Sequence, residues 1–455
     1  MSVKKTAAIA VCKATYKAMR LLGRTARALP GKLALVVDGN IIRELSEGHK
    51  TIVITGTNGK TTTTHMVQQA IINTYGGAAY DPSSTNLEQG IATTLCLDSS
   101  LSGQRMNEWA VIESDEGATK TFLPAMLPQV LVVTNLYRDQ VDRYPTWTTA
   151  RDYIIEAIKG SPDTVLVLDA DCQVTASIAD AVSNKVVWFG LECDPYDEGI
   201  ADFDEDVACI KCGKPLDFSR RTFAHLGDFT CPSCGFAHHK ADIAITEVAD
   251  KREKSCEVTV RVQGMSLHFP VNVRAGYDLY NAAAALAGLV TLGVPVDHAG
   301  AALAHFKHAA HRFEIFDVDG TQTRLLLMKN TAGCNQLINM LVSEDNPPTN
   351  FVCMLGNEIM DGISTEWIEG VHWEKLANPQ AKVIVGGPCH DDMRKRLLRA
   401  GFAEKNMRVQ TDYVALVRDI AALDDAVTVI ANCSTIEALR LELVKSYKPI
   451  DYWAE

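Results

Sequence analysis

One eight-residue stretch constrains this chain more than any other. Thr55-Gly56-Thr57-Asn58-Gly59-Lys60-Thr61-Thr62 lies between a β-branched run at 51–55 and a helical pattern over 60–73. Glycines at such a strand-to-helix turn let backbone N–H groups face inward around phosphate oxygens. The new helix adds the positive end of its dipole. Lys60 then reaches the β- and γ-phosphates of a nucleotide, and the Thr61 hydroxyl ligates Mg²⁺. The usual phosphate loop begins with glycine at the place of Ile54; here Gly56 takes over, so the loop is an abbreviated form. A strand, loop and helix of this kind call for an α/β sheet around them.

The flanking sequence agrees. Strand-like runs at 109–113, 130–135 and 164–168 alternate with helical spacing at 148–159. The pattern breaks into a Cys-, Gly- and Pro-rich insertion near 202–239. It resumes as strands at 243–248, 256–262 and 266–273 and an Ala-rich helix at 278–292. A second alternating series follows, with strands at 324–328, 351–355, 382–385 and 427–430 and helices at 335–341, 391–400, 413–422 and 434–446. The expected fold is α/β: a P-loop ATPase domain over 50–314 with an insertion at 203–239, then a smaller Rossmann-like domain over 315–455. A basic lead occupies 1–49.

Inside the insertion, Cys209-Ile-Lys-Cys212 and Cys231-Pro-Ser-Cys234 are each followed by glycine, Gly213 and Gly235. Four thiolates at this spacing satisfy a tetrahedral Zn²⁺ and leave no open position, which makes the site structural. The alternative, two disulfides, conflicts with the thin spread of 13 cysteines over 455 residues, which reads as a reduced cytosolic chain. His225, His238 and His239 lie close by, but four sulfurs already fill the metal's shell.

The loop in this form, Thr-Gly-Thr-Asn-Gly-Lys-Thr-Thr, resembles that of the Mur ligases and folylpolyglutamate synthetases, which activate a carboxylate as an acyl phosphate and join it to an amine. With a four-cysteine ribbon added, the chain resembles the MurT family, ligase subunits of lipid II isoglutaminyl synthase. The resemblance implies that Gly56, Thr57, Asn58, Gly59, Lys60, Thr61 and Thr62 hold ATP. It implies that Glu113, in Ile112-Glu113-Ser114-Asp115-Glu116, shares Mg²⁺ with Thr61, and that Asn281 meets adenine. Thr134-Asn135-Leu136, with Asp139 and Asp142, matches the segment after the next strand. Arg312, in Arg312-Phe313-Glu314, matches the end of the ATPase domain, although His311 replaces a glycine. Leu29-Pro30-Gly31-Lys32-Leu33-Ala34-Leu35 resembles the family's N-terminal segment, Lys329-Asn330-Thr331-Ala332-Gly333 its Lys-Asn-Pro-Ala-Gly, and Asn357 through Asp361-Gly362 to Trp367 its Asn-Asp…Asp-Gly…Ser-Trp. Ser364 and Glu366 depart from the pattern, as does Gly386-Gly387-Pro388-Cys389-His390-Asp391.

The implied reaction is ATP-dependent amidation of the D-glutamate α-carboxylate in the lipid II stem peptide, a step of peptidoglycan biosynthesis. Catalysis then falls to Lys60 and Glu113. Ammonia is expected from a GatD-like glutamine amidotransferase subunit, whose Cys-His pair Asp361 would complete. A Gly-x-Cys-x-Gly elbow is lacking here, since Gly387-Pro388-Cys389-His390-Asp391 has no closing glycine; Cys389 reads as structural. An autonomous ligase adding an amino acid is the competing reading. A nucleic-acid-remodelling ATPase is a third.

Charge separates the third from the others. Residues 1–37 carry eight basic and no acidic side chains, leaving 36 basic against 56 acidic residues, or −20, for the rest. A body that acidic is a poor match for phosphate backbones. The lead has no secretory apolar core, and no run approaches the ~20 apolar residues of a membrane span. A cytoplasmic location follows. The +8 lead reads either as a solvated basic helix or as an electrostatic contact with the inner membrane face, where lipid II is found.

Overall fold

The structure, a computed structural model, describes residues 3–24, 26, 28–81, 85–137, 146–194, 207–249, 255–272, 276–306, 313–358, 361–423 and 425–450. Buried β-branched strands and covering helices organise it into two main sheets. The first body begins with helices α1 (Val3–Leu21), α2 (Leu29–Val37) and α3 (Ile41–Ser46). The alternating part follows as β1 (Lys50–Thr55), α4 (Lys60–Tyr75), α5 (Glu88–Leu97), β2 (Trp109–Glu113), α6 (Thr119–Met126), β3 (Val130–Val133), α7 (Trp147–Lys159), β4 (Val165–Asp169), α8 (Gln173–Ala179) and β5 (Val186–Leu191). Then come the hairpin β6 (Asp217–Phe223) and β7 (Leu226–Thr230), strands β8 (Ile243–Ala249), β9 (Cys256–Val262) and β10 (Met265–Val271), and helices α9 (Gly276–Thr291) and α10 (Val296–Ala304).

These strands form an eight-stranded sheet in the order β10-β9-β8-β5-β4-β3-β1-β2, parallel from β2 to β8 and antiparallel through β9 and β10. Strand β1 is buried at every position but the first and sits between β2 and β3. The chain therefore leaves its C-terminal end at the point where the strand order reverses, where open α/β sheets hold ligands.

The second body is a seven-stranded sheet, β15-β14-β13-β16-β12-β11-β17. Its elements are β11 (Phe313–Val318), β12 (Thr321–Leu327), α11 (Thr331–Val342), β13 (Asn350–Met354), β14 (Lys382–Gly386), α12 (His390–Arg399), β15 (Met407–Val409), α13 (Tyr413–Ala421), β16 (Val427–Ala431), α14 (Cys433–Leu443) and β17 (Pro449–Ile450). The five strands from β15 to β12 are parallel, and β11 pairs antiparallel with both β12 and β17.

The basic lead is not a solvated helix. Ala8, Ile9 and Cys12 of α1 are fully buried in the first core. The Lys5 ammonium donates to the Glu44 carbonyl (2.9 Å), and Lys13 reaches the carbonyls of Leu97 and Ser99. The apolar residues between its charges were the signal for this packing face.

A candidate nucleotide cleft and a four-cysteine cluster

The loop after β1 is built by glycine. Gly56 (φ +125°) and Gly59 (φ +84°) occupy conformations that side chains rarely adopt. A Cβ on Gly56 would run into Thr134 and Asn135, and one on Gly59 into the Asn281 side chain. The segment after β3 braces the loop from below. The Asn135 carbonyl accepts from the Thr57 N–H (2.8 Å), its Oδ1 accepts from the Asn58 N–H (2.9 Å), and the Thr134 hydroxyl donates to the Asn58 carbonyl (2.7 Å).

Lys60 and Thr61 open helix α4 and are both 8% exposed. The Lys60 ammonium folds back onto the Gly56 carbonyl, with the Thr57 carbonyl at 3.3 Å and Glu116 Oε1 at 3.4 Å. The Thr61 hydroxyl donates to Glu113 Oε1 (3.0 Å). A hydroxyl beside buried carboxylates offers hard oxygen ligands, and a divalent cation such as Mg²⁺ is bound through one or two carboxylates plus substrate phosphates. The donor set and the glycine cradle thus fit a magnesium–nucleotide pair. Glu116 is the loop's second acidic neighbour; it stood in the same Ile-Glu-Ser-Asp-Glu run as Glu113 but only the fold shows that it meets Lys60.

The loop faces a cavity of about 1180 Å³ between the two sheets. Thr57, Asn58, Gly59, Lys60, Thr61, Thr62, Glu113 and Asn281 line it from the first body, and Lys329, Gly333, Glu358 and Ile363 from the second. Asn281, 3% exposed, has its Oδ1 3.5 Å from the Thr63 hydroxyl, and its Nδ2 donates to Asp278 (3.3 Å). Across the cleft, Lys329 donates to the Thr57 carbonyl (3.3 Å) and the Asn330 amide to Asn58 Oδ1 (2.9 Å). Sequence spacing gave no sign of this last pair, because 272 residues separate its members. Arg312, His311, Asp139 and Asp142 lie outside the described residues.

Asp361, 8% exposed, lies between the cleft-lining residues Glu358 and Ile363 in the second body. Its carboxylate accepts from the Ser434 N–H (3.0 Å), from the Ser434 hydroxyl, and from the Glu358 N–H (3.3 Å). It therefore caps the first turn of α14, while its neighbours Glu358 and Ile363 line the cleft. Burial, with the charges of Asp392 and Asp361, raises the Cys389 thiol above its ordinary range, the opposite of what a nucleophile needs.

Cys209, Cys212, Cys231 and Cys234 converge, with all four sulfurs within 4.8 Å of one another. Each pair forms the same tight turn. The Gly213 N–H donates to the Cys209 carbonyl (2.8 Å) and the Gly235 N–H to the Cys231 carbonyl (2.9 Å), with φ of +71° and +75° at the two glycines. Cys212 and Cys231 sulfurs lie 3.5 Å apart and those of Cys209 and Cys234 3.7 Å. Those separations are too long for disulfide bonds. They match the ~3.8 Å edge of a tetrahedron with metal–sulfur bonds of about 2.3 Å. The cluster can hold a metal ion. His238 is engaged elsewhere, 2.8 Å from Asp171.

Comparison with known proteins agrees with this architecture. Residues 54–212 match the Mur ligase middle domain and residues 327–436 the MurT ligase C-terminal domain. The chain is 29% identical over 409 residues to the lipid II isoglutaminyl synthase subunit MurT of Streptococcus pneumoniae, covering 89% of each protein. It is 26% identical to MurT of Staphylococcus aureus, covering 87% of this chain and 88% of that protein. Among solved structures, the fold matches a pseudomurein peptide ligase type C from Methanothermus fervidus (TM-score 0.66, 18% identity, 89% of this chain and 80% of that one). It also matches MurF ligase from Thermotoga maritima in complex with ADP (TM-score 0.60, 17% identity, 90% and 84%). Matching the Mur ligase middle domain and the MurT C-terminal domain in that order, and MurT proteins along nearly its whole length, it belongs to the Mur ligase family, in its MurT branch.

Proposed function

We propose that the chain is the ligase subunit of a lipid II isoglutaminyl synthase. On this reading it amidates the D-glutamate α-carboxylate of the stem peptide at the expense of ATP. The observation that carries the reading is the cleft in which the loop of the first sheet meets Lys329 and Asn330 of the second. That arrangement suits phosphoryl transfer, which demands positioning and charge neutralisation more than covalent chemistry. A carboxylate oxygen attacks the γ-phosphorus and ADP leaves, giving an acyl phosphate. Ammonia then attacks the acyl carbon, phosphate departs, and the nitrogen gives up a proton.

Lys60 neutralises the β- and γ-phosphate oxygens; to do so its ammonium swings from the Gly56 carbonyl toward the cleft. Thr61 and Glu113 would hold Mg²⁺, which would supply charge compensation to the phosphate oxygens. The uncapped start of α4 adds backbone donors. Lys60→Ala lowers ATP-dependent amidation about 10³-fold or more on this account, and near-wild-type turnover would refute the loop assignment. The four cysteines hold one structural Zn²⁺.

The ammonia comes from a separate GatD-like glutamine amidotransferase subunit, in keeping with a Cys389 thiol held above its ordinary range. Asp361 is assigned to that subunit's Cys-His pair. Asp361→Asn then lowers glutamine hydrolysis by the complex while sparing ammonia-driven amidation. Equal loss of both would give Asp361 to the ligase cleft and to α14.

The lead's exposed face supports association with an anionic bilayer. Leu21 (88% exposed), Leu22 and Val36 stand among exposed Lys17, Arg20, Arg24 and Lys32. No helix among the described residues is long and apolar enough to cross a membrane. Leu21→Ser with Leu22→Ser weakens sedimentation with phosphatidylglycerol vesicles; unchanged sedimentation rejects the contact.

A further inference from the structure

The cleft has two kinds of wall. Around Gly59 and Lys60 it is built for anions. Beyond Thr57 it is aromatic, formed by Tyr137, Phe223 and Tyr280. Phe223 is the last residue of β6, so it belongs to the four-cysteine insertion and not to the nucleotide fold proper.

The three rings form one surface. Phe223 lies nearly parallel to Tyr137 (centroids 6.3 Å, 10°) and edge-on to Tyr280 (5.7 Å, 80°). This surface is tied to the phosphate loop, since the Tyr137 N–H donates to the Thr57 hydroxyl (3.0 Å). One ligand with an anionic end and a flat apolar end requires such a continuous wall. Tyr280 precedes Asn281 on α9, and its hydroxyl donates to Asp171 Oδ2 (2.6 Å) while pairing with the Thr222 hydroxyl (2.7 Å).

The insertion is docked firmly enough to hold Phe223 in place. Gln173 at the start of α8 accepts from the Ile210 N–H (2.8 Å) and donates to the Ala208 carbonyl (3.0 Å). The Gly227 N–H donates to the Asp171 carbonyl (3.0 Å), and His238 pairs with the Asp171 carboxylate (2.8 Å). The first cysteine turn, the hairpin near its tip and His238 beyond the second cysteine turn are thus anchored on Asp171 and Gln173, just after β4.

We propose that the four-cysteine insertion builds part of the nucleotide site, with Phe223, backed by Tyr137 and Tyr280, as the flat apolar face on which the base packs. The inference rests on the reading of this cleft as a nucleotide site. Ring–base packing is sequence-tolerant and strong enough to change affinity by an order of magnitude.

The test is calorimetric titration of the full zinc-loaded chain with Mg·ATP and, separately, with inorganic tripolyphosphate, which has the anionic end but no base. Phe223→Leu keeps apolar volume and removes the flat ring. It is expected to weaken ATP binding about ten-fold while leaving tripolyphosphate binding unchanged, and Phe223→Tyr to restore ATP affinity. Unchanged ATP affinity in Phe223→Leu, or equal weakening toward both probes, would overturn the inference. A wild-type chain that binds neither probe would instead overturn the nucleotide reading beneath it.

Discussion

Two helices begin at the same cleft, one from each sheet, and their first turns are built in opposite ways. Helix α4 starts at Gly59, which offers no side chain to cap it, so its N–H groups and dipole remain available to an anion. Helix α11 starts at Asn330, whose Oδ1 accepts from the Gly333 N–H (2.9 Å). That end is satisfied internally, and what it contributes to the cleft is side chains: Lys329 to Thr57 and Asn330 to Asn58. One fold of helix start therefore serves binding and the other serves closure. A glycine at the cap position leaves a site open; an asparagine closes it and holds the opposite wall.

The comparison breaks most readily at its two lysines. Lys60→Ala is expected to lower amidation about 10³-fold or more, the scale for losing a preorganised charge-stabilising group. Lys329→Ala, which removes a contact across the cleft, should cost only about ten-fold, mainly in kcat/KM. Steady-state rates with ammonia as donor measure both; equal losses would erase the distinction between binding and closing ends.

A second contrast sets the loop against the cysteine cluster. Cys209→Ser with Cys231→Ser should lower the zinc content by about one per chain on elemental analysis and the melting temperature by several degrees. It should also raise the KM for ATP, because Phe223 belongs to the same hairpin. Unchanged metal content would refute the assignment.

The smallest effect lies in the turn of that hairpin. Burial, reinforced by the Arg221 charge, lowers the His225 pKa to about 3. His225 lies 3.3 Å from the Cys172 sulfur and against the Tyr137 ring. Below pH 6.5 the unfolded chain takes up a proton that the folded chain refuses. Stability held at neutral pH is therefore lost as pH falls from 6.5 toward 3, by up to about 1.4 kcal/mol per unit. Melting temperatures of His225→Gln should fall less steeply over that window than those of the wild type; parallel slopes would contradict it.

What could be read from the residues alone was local. The phosphate loop and the two cysteine pairs declare themselves within eight and four residues, and most of the parallel strands within about five, although β5 and β15 went unread. Features made by distant segments left no trace. The Asn58–Asn330 bridge and the Tyr280–Asp171 bond, whose partners are 109 residues apart, depend on tertiary placement. Strand β11 went unread because Phe313–Val318 is buried almost throughout and shows no alternation. Helix α5 was missed for the same reason, since burial on nearly every side removes the period. The solvated-helix reading of the lead failed because charge was weighed ahead of the apolar residues between the lysines.

The account's central claim is that this chain amidates lipid II with ammonia and depends on another subunit for glutamine. The direct measurement is mass spectrometry of lipid II incubated with the chain, Mg·ATP and one nitrogen donor at a time. The account predicts amidated lipid II and stoichiometric ADP with ammonium alone. With glutamine, product should form only once the glutaminase subunit is added, and free amino acids should give none. An amino acid joined to the substrate in the absence of any partner would contradict it.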